Sequence, residues 1–301
     1  MTTPEQARWM NRPEAGGRLA LWFTRVLALH VGRAPTRLIL LPVTLYFLVR
    51  RGPERRASRR FLSRALGRPA TLRDVARHMY TFATVTLDRI FLLTEEFRRF
   101  DIRTHGLEEL HAALDLRQGA LLIGAHVGSF DALRVLALQR PEQRVRPVID
   151  LEQNPAVSQL LNSLNPAIAA SIINARQDGT TTALAIHEAL KEQALVTLLA
   201  DRARPANTTV RADFMGEPAA LPTARWLLAA TLKVPVVLCF GLYRGGRRYD
   251  LYFEAFADRI DIPRANRAQA VAATVQRFAD RLEHYVRIAP YNWFNFYDLW
   301  L

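Results

Sequence analysis

One cysteine in 301 residues, Cys239, leaves no partner for an internal disulfide and too few thiolates for a cysteine-based zinc or iron–sulfur site. That scarcity predicts a protein folded on the reducing side of a membrane. Lysine is almost missing too: only Lys191 and Lys233 are found among 41 basic residues, so arginine number by itself carries little weight. No Gly-x-Ser-x-Gly elbow occurs, and Cys239 lies in an apolar run, so nothing marks a serine or cysteine nucleophile. The chain has no internal repeat and no low-complexity linker. A cleavable leader is not expected, because the first eighteen residues are polar and no small-residue cleavage site follows the apolar run after them.

What is present is half hydrophobic, enough to bury a full core. One large domain, or one domain with an appendage, follows from the length. The net charge of +13 is unevenly placed. Residues 1–100 carry 19 arginines against 7 acidic residues, whereas 101–301 carry 22 basic against 21 acidic residues.

A basic segment of this kind suits either a nucleic acid or an anionic membrane surface. Its apolar company decides between them. Leu38 to Val49 (LILLPVTLYFLV) has no charge and is followed at once by Arg50, Arg51, Arg55, Arg56, Arg59, Arg60 and Arg64, the order of a membrane wedge and its basic flank. Twelve residues rise about 18 Å as helix, against roughly 30 Å of hydrocarbon, and Pro35 and Pro42 are expected to interrupt them. We therefore expect residues 1–70 to form a helical, membrane-associating region lying in one leaflet. Flanking arginines place it on the cytoplasmic face. The plainer alternative is a buried helix of a soluble protein with solvated arginines. A nucleic-acid partner is not expected, since 101–301 is nearly neutral.

Residues 71–99 predict one long amphipathic helix, with Thr71 as N-cap and Asp74 three residues on. From about 100 onward, short apolar runs alternate with helical stretches, which predicts an α/β fold over 71–301: a mixed, mostly parallel central sheet flanked by helices. Strands are expected at 119–125, 145–149, 171–173, 195–199, 208–214, 236–242 and 249–256. Helices are expected at 130–139, 155–164, 180–191, 223–232 and 265–288. Gly245-Gly246 reads as a hairpin turn.

The chemistry concentrates in Gly119-Ala-Leu-Leu-Ile-Gly-Ala-His126-Val-Gly-Ser-Phe-Asp131. An apolar strand delivers His126 at its carboxyl end, where open α/β sheets place their sites. A spacing of five lets Asp131 accept the proton on one imidazole nitrogen, leaving the other as a base. Backbone N–H groups of Gly128 and Ser129, at a helix start, are candidate oxyanion donors, and the Ser129 hydroxyl is a candidate helix cap. No histidine pair has metal-ligand spacing with a third ligand, so no metal is expected.

These residues resemble the lysophospholipid acyltransferase superfamily, within it the branch that adds late acyl chains to lipid A. The ordered features are His126/Asp131, Asn154-Pro155, Arg176 ahead of Asp178-Gly179-Thr180, Asp201-Arg202 after an apolar strand, Phe214-Met215-Gly216, and Pro222-Thr223. The branch usually has Glu at the place of Asp131, Trp at that of Phe130, and Asp-Gln at that of Asp201-Arg202. The resemblance implies an acyltransferase of the bacterial inner membrane, with no resident cofactor. The resemblance further implies that a fatty acyl chain is moved from an acyl carrier protein or coenzyme A thioester to a lipid or glycolipid hydroxyl. Arg176 and Arg202 are then the candidates to hold an anionic acceptor group, with Asp201 orienting either arginine. Two other classes stay open on sequence: a thioesterase using the same dyad on water, and a non-catalytic basic membrane-binding protein.

Overall fold

The computed structural model describes residues 26–135, 142–151, 155–175, 179–203 and 208–300. Helices α1 (Arg33–Arg50) and α2 (Gly52–Ala65) precede the long α3 (Leu72–Leu93), β1 (Asp101–His105), α4 (Leu107–Asp115) and β2 (Ala120–Gly124). Next come β3 (Val145–Ile149), α5 (Pro155–Leu164), α6 (Pro166–Ser171), β4 (Ile173–Asn174), α7 (Gly179–Lys191) and β5 (Leu195–Leu199). The hairpin β6 (Thr209–Phe214) and β7 (Glu217–Pro222), α8 (Ala224–Leu232), β8 (Val236–Gly245), β9 (Arg248–Ala257) and α9 (Arg267–Ile288) follow.

Seven strands form one sheet in the order β1-β9-β8-β2-β5-β3-β4, and only the β8–β9 pair is antiparallel. This is the mixed, mostly parallel α/β sheet that the sequence predicts. Every residue of β2 is buried, because a central parallel strand is covered on both faces. Its side chains alternate between two cores: Leu121 and Ile123 pack with α2, α7 and α9, whereas Ala120 and Leu122 pack with α3 and α4.

The structure departs from the sequence pattern in four places. β4 has two residues because 166–171 are helical. β1 (DIRTH) and β7 (EPAALP) went unpredicted because neither presents an apolar run. The described part of the helix expected at 130–139 is one 3-10 turn, Asp131–Val135. Pro42 does not break α1 but sits inside it, on the exposed side.

Helix α3 opens with the expected capping box, Thr71 and Asp74 exchanging side-chain and backbone hydrogen bonds. Helix α1 is inverted relative to a soluble surface helix. Its buried face carries Arg33, Thr36, Leu40 and Thr44, while Leu38, Leu41, Leu45, Tyr46 and Val49 are exposed. The polar inward groups are satisfied locally: Thr36 and Thr44 hydroxyls donate to the carbonyls of Gly32 and Leu40 at 2.7 Å. The Arg33 guanidinium donates to both oxygens of buried Asp88 at 2.6 and 2.7 Å, and the Tyr249 hydroxyl donates to Asp88 at 2.8 Å. No helix among the described residues is long and apolar enough to cross a membrane.

His78 of α3 is fully buried. Its Nε2–H donates to the Trp293 carbonyl at 2.9 Å, since a carbonyl only accepts, and its Nδ1 accepts from the Ser58 hydroxyl at 2.8 Å. Burial lowers its pKa from 6.5 to about 4. Between those values the unfolded chain binds a proton that the folded one refuses, so stability is complete above pH 6.5 and falls as pH drops toward 4. We predict that acidifying from pH 7.5 to 5 costs the wild type about 2 kcal/mol more than His78→Gln, measured by denaturant unfolding at both pH values. Equal losses in the two proteins would refute the assignment.

Candidate active site

Parallel strands β2 and β5 lie side by side with Gly124 opposite Leu199. The Ala200 N–H donates to the Gly124 carbonyl at 3.0 Å, continuing the ladder past the strand ends. Two residues beyond each strand, His126 and Asp201 therefore come together at the carboxyl edge of the sheet. The His126 Nδ1 lies 2.7 Å from Asp201 Oδ1, and the His126 backbone N–H donates to Asp201 Oδ2 at 3.1 Å. Asp201 is fully buried, whereas the His126 side chain keeps 28% of its surface exposed.

The C-terminal aromatic segment closes the arrangement. Trp293 Nε1 and Asn295 Nδ2 donate to Asp201 Oδ2 at 3.0 and 3.1 Å, and the Phe294 N–H donates to the His126 carbonyl at 2.8 Å. Burial penalises the Asp201 charge, but the His126 and Arg202 side chains together with these donors outweigh it and hold the carboxyl well below the usual carboxylate range. An ionised Asp201 fixes the tautomer: Nδ1 carries the hydrogen and Nε2 is the free base nitrogen. Burial lowers the His126 pKa, Arg202 and Arg89 add to this, and Asp201 opposes it. The ring is consequently neutral, and able to accept a proton, at neutral pH.

Several sequence expectations are corrected here. Asp131 does not hold His126; its Oδ2 accepts from Arg89 Nε of α3 at 2.7 Å, because the chain after Ser129 turns toward α3. Gly128 and Ser129 are not free oxyanion donors. Their N–H groups donate to the carbonyls of Asn292 and Gly241 at 2.8 and 2.7 Å. Gly128, at φ +64°, passes so close to β8 that a Cβ there would sit 1.9 Å from the Gly241 oxygen. The Ser129 hydroxyl accepts from the Ala132 N–H at 3.3 Å, as a cap. Arg202 does not face a ligand with its Nε or Nη2, which donate to Asn295 Oδ1 at 2.6 Å and to the Phe294 carbonyl at 2.7 Å. Asp201 bonds the imidazole of His126. Arg176, Asn154 and Asp178 lie outside the described residues.

Sequence reasoning missed Arg89, Trp293 and Asn295. Each left a signal. Asp88-Arg89 is a charge pair inside an apolar helical stretch, and Asn292 and Asn295 interrupt an aromatic run that has to be buried. Among the described residues, no group of three His, Cys, Asp or Glu is placed to hold a metal ion.

Because Asp201 supports the protonated ring, its removal should lower the His126 pKa further. Histidine NMR titration of Asp201→Asn is expected to show His126 titrating at lower pH than in the wild type. An unchanged or raised value would show that this carboxylate does not act on the ring.

A profile of bacterial lipid A biosynthesis acyltransferases matches residues 68–301, a stretch that contains the whole His126–Asp201–Trp293–Asn295 network. Among curated proteins, none matches the chain. With this match covering more than two hundred of the 301 residues, the chain belongs to the bacterial lipid A biosynthesis acyltransferase family and is an acyltransferase.

Proposed function

We propose that the protein transfers a fatty acyl chain from an acyl carrier protein or coenzyme A thioester to a hydroxyl of a membrane lipid or glycolipid, with His126 as general base and Asp201 as its orienting carboxylate. The observation that carries this reading is the neutral imidazole: Nδ1 is tied to a buried carboxylate, and Nε2 has no hydrogen-bond partner among the described residues. In this reaction Nε2 takes the proton of the acceptor hydroxyl, and the oxygen attacks the thioester carbonyl carbon. The tetrahedral adduct collapses with loss of the thiolate, which takes the proton back from the imidazolium. Among the described residues no serine or cysteine hydrogen-bonds the His126 ring, which supports direct transfer. Arg176 stays the candidate for an anionic group of the acceptor on its place in the sequence.

Membrane association is part of the same proposal. The inverted α1, with its aliphatic stripe outward and Arg33 turned inward onto Asp88, supports a helix that rests in the lipid of the cytoplasmic leaflet of the inner membrane. The arginine flank is partly committed to the protein: Arg55 donates to the Leu48 carbonyl, Arg59 to the Ala70 carbonyl, Arg60 pairs with Asp298, and Arg64 pairs with Glu217. The aliphatic face, more than the charge, is then the main source of affinity.

Two outcomes are expected. His126→Ala and Asp201→Asn each lower acyl transfer about 10³-fold in membranes carrying the protein, read as acylated lipid by mass spectrometry. Wild-type rates in His126→Ala would remove the base assignment, and free fatty acid without acylated lipid would make the enzyme a hydrolase. Leu41→Glu/Leu45→Glu is expected to abolish sedimentation with anionic phospholipid vesicles even at low salt. Unimpaired sedimentation would move the contact elsewhere.

A further inference from the structure

With the turn after β2 closed as an oxyanion site at four positions, the charge developing on the thioester carbonyl needs a donor from another element. His126 N–H donates to Asp201, Val127 N–H to the Ala125 carbonyl, Gly128 N–H to Asn292 and Ser129 N–H to Gly241. Arg202 is bound to the C-terminal segment through Nε and Nη2. Arg89 differs from both. It reaches the same turn from α3, is partly exposed at 32%, and uses only Nε on Asp131; its two terminal amino groups donate to nothing among the described residues. Its charge is also felt at the imidazole.

The surroundings of Arg89 match a thioester. Two turns earlier on α3, at the spacing that shares a helix face, Phe82 is 42% exposed and packs edge-on against Phe294 and Phe296, each ring 5.3 Å away. Phe294 is the residue whose N–H holds the His126 carbonyl. One helix face thus presents a cation bonded to Asp131 in the turn after His126 and, two helical turns away, an aromatic ring on Phe294, the order of carbonyl and acyl chain in the donor.

Resting on His126 as the base, we infer that Arg89 is a catalytic residue that binds the oxyanion of the tetrahedral intermediate, and that Asp131 is a positioning residue acting through Arg89. As the acceptor oxygen bonds to the carbonyl carbon, the C=O electron pair moves onto oxygen and accepts hydrogen bonds from the Arg89 amino groups. When the pair returns, the C–S bond breaks and the thiolate leaves with the imidazolium proton. A planar guanidinium held by one edge keeps its other edge directed at the site. The His-x4-Asp spacing then places an arginine holder near the base.

The test uses the full chain in membranes, with lauroyl-coenzyme A and lauroyl-acyl carrier protein as donors and thiol release giving kcat and KM. Arg89→Gln is expected to lower kcat about 10²-fold with KM within about threefold of the wild type, as for loss of one oxyanion donor. Arg89→Lys recovers part of that loss. Asp131→Asn lowers kcat by about tenfold, and the double variant is no worse than Arg89→Gln alone, because Asp131 has nothing left to hold. Losses that multiply in the double variant would show Asp131 acting on its own and overturn the inference. A raised KM with unchanged kcat would make Arg89 a ground-state anchor and overturn it as well. Wild-type turnover in Arg89→Gln while His126→Ala is inactive would sink this inference alone; turnover in His126→Ala would sink the base reading instead. Circular dichroism of Arg89→Lys and Arg89→Gln excludes a folding loss as the cause.

Discussion

A fully buried carboxylate has to be surrounded by donors, and Asp201 organises this protein for that reason. An unpaired charge at zero exposure would cost several kcal/mol, and removing one partner from such a cluster typically costs 3–5 kcal/mol. Four donors meet the demand: the backbone and ring of His126, the Trp293 indole and the Asn295 amide. They come from the end of β2, the strand beside the one that carries Asp201, and from a segment more than ninety residues away. Satisfying one charge therefore fixes the imidazole, its tautomer and the path of the C-terminal chain together.

The aromatic segment is consequently part of the site and not only a cover for the core. Arg202 binds it at Asn295 and Phe294, His78 holds the Trp293 carbonyl, and Asn292 makes a two-way bond with the backbone of Tyr243 at 2.7 and 3.1 Å. Between them runs the glycine-lined crossing of the turn over β8, where Gly128 and Gly241 approach too closely for any side chain. The turn's N–H groups are taken by Asp201, Ala125, Asn292 and Gly241, which is why oxyanion stabilisation is assigned to an arginine on α3.

Helix α1 is joined to this framework by Arg33, whose charge is neutralised by Asp88 and not by lipid phosphate. The Tyr249 hydroxyl adds a bond from β9, so the helix is fixed to the sheet through α3. An amphipathic helix turned inside out is stable only if its outer face meets another apolar phase. The proposed membrane contact and the proposed acyl route consequently meet on α3, whose Asp88 anchors α1 and whose Arg89 bonds Asp131.

The sequence by itself determined the layered α/β class, most strands, the capped helix α3 and the placing of His126 at a strand end, because each depends on local periodicity or on a turn signal. It also marked Asp201, as a partner of Arg176 or Arg202, without showing its bond to the His126 ring. Which carboxylate holds the ring was a tertiary decision. Five residues of spacing made Asp131 the nearest acid along the chain, yet the parallel register of Gly124 with Leu199 sets position 126 beside position 201, and strand neighbours are not encoded in any short stretch. Trp293 and Asn295 became part of the site for the same reason: a buried charge recruits donors by proximity in space, which the folded chain alone establishes.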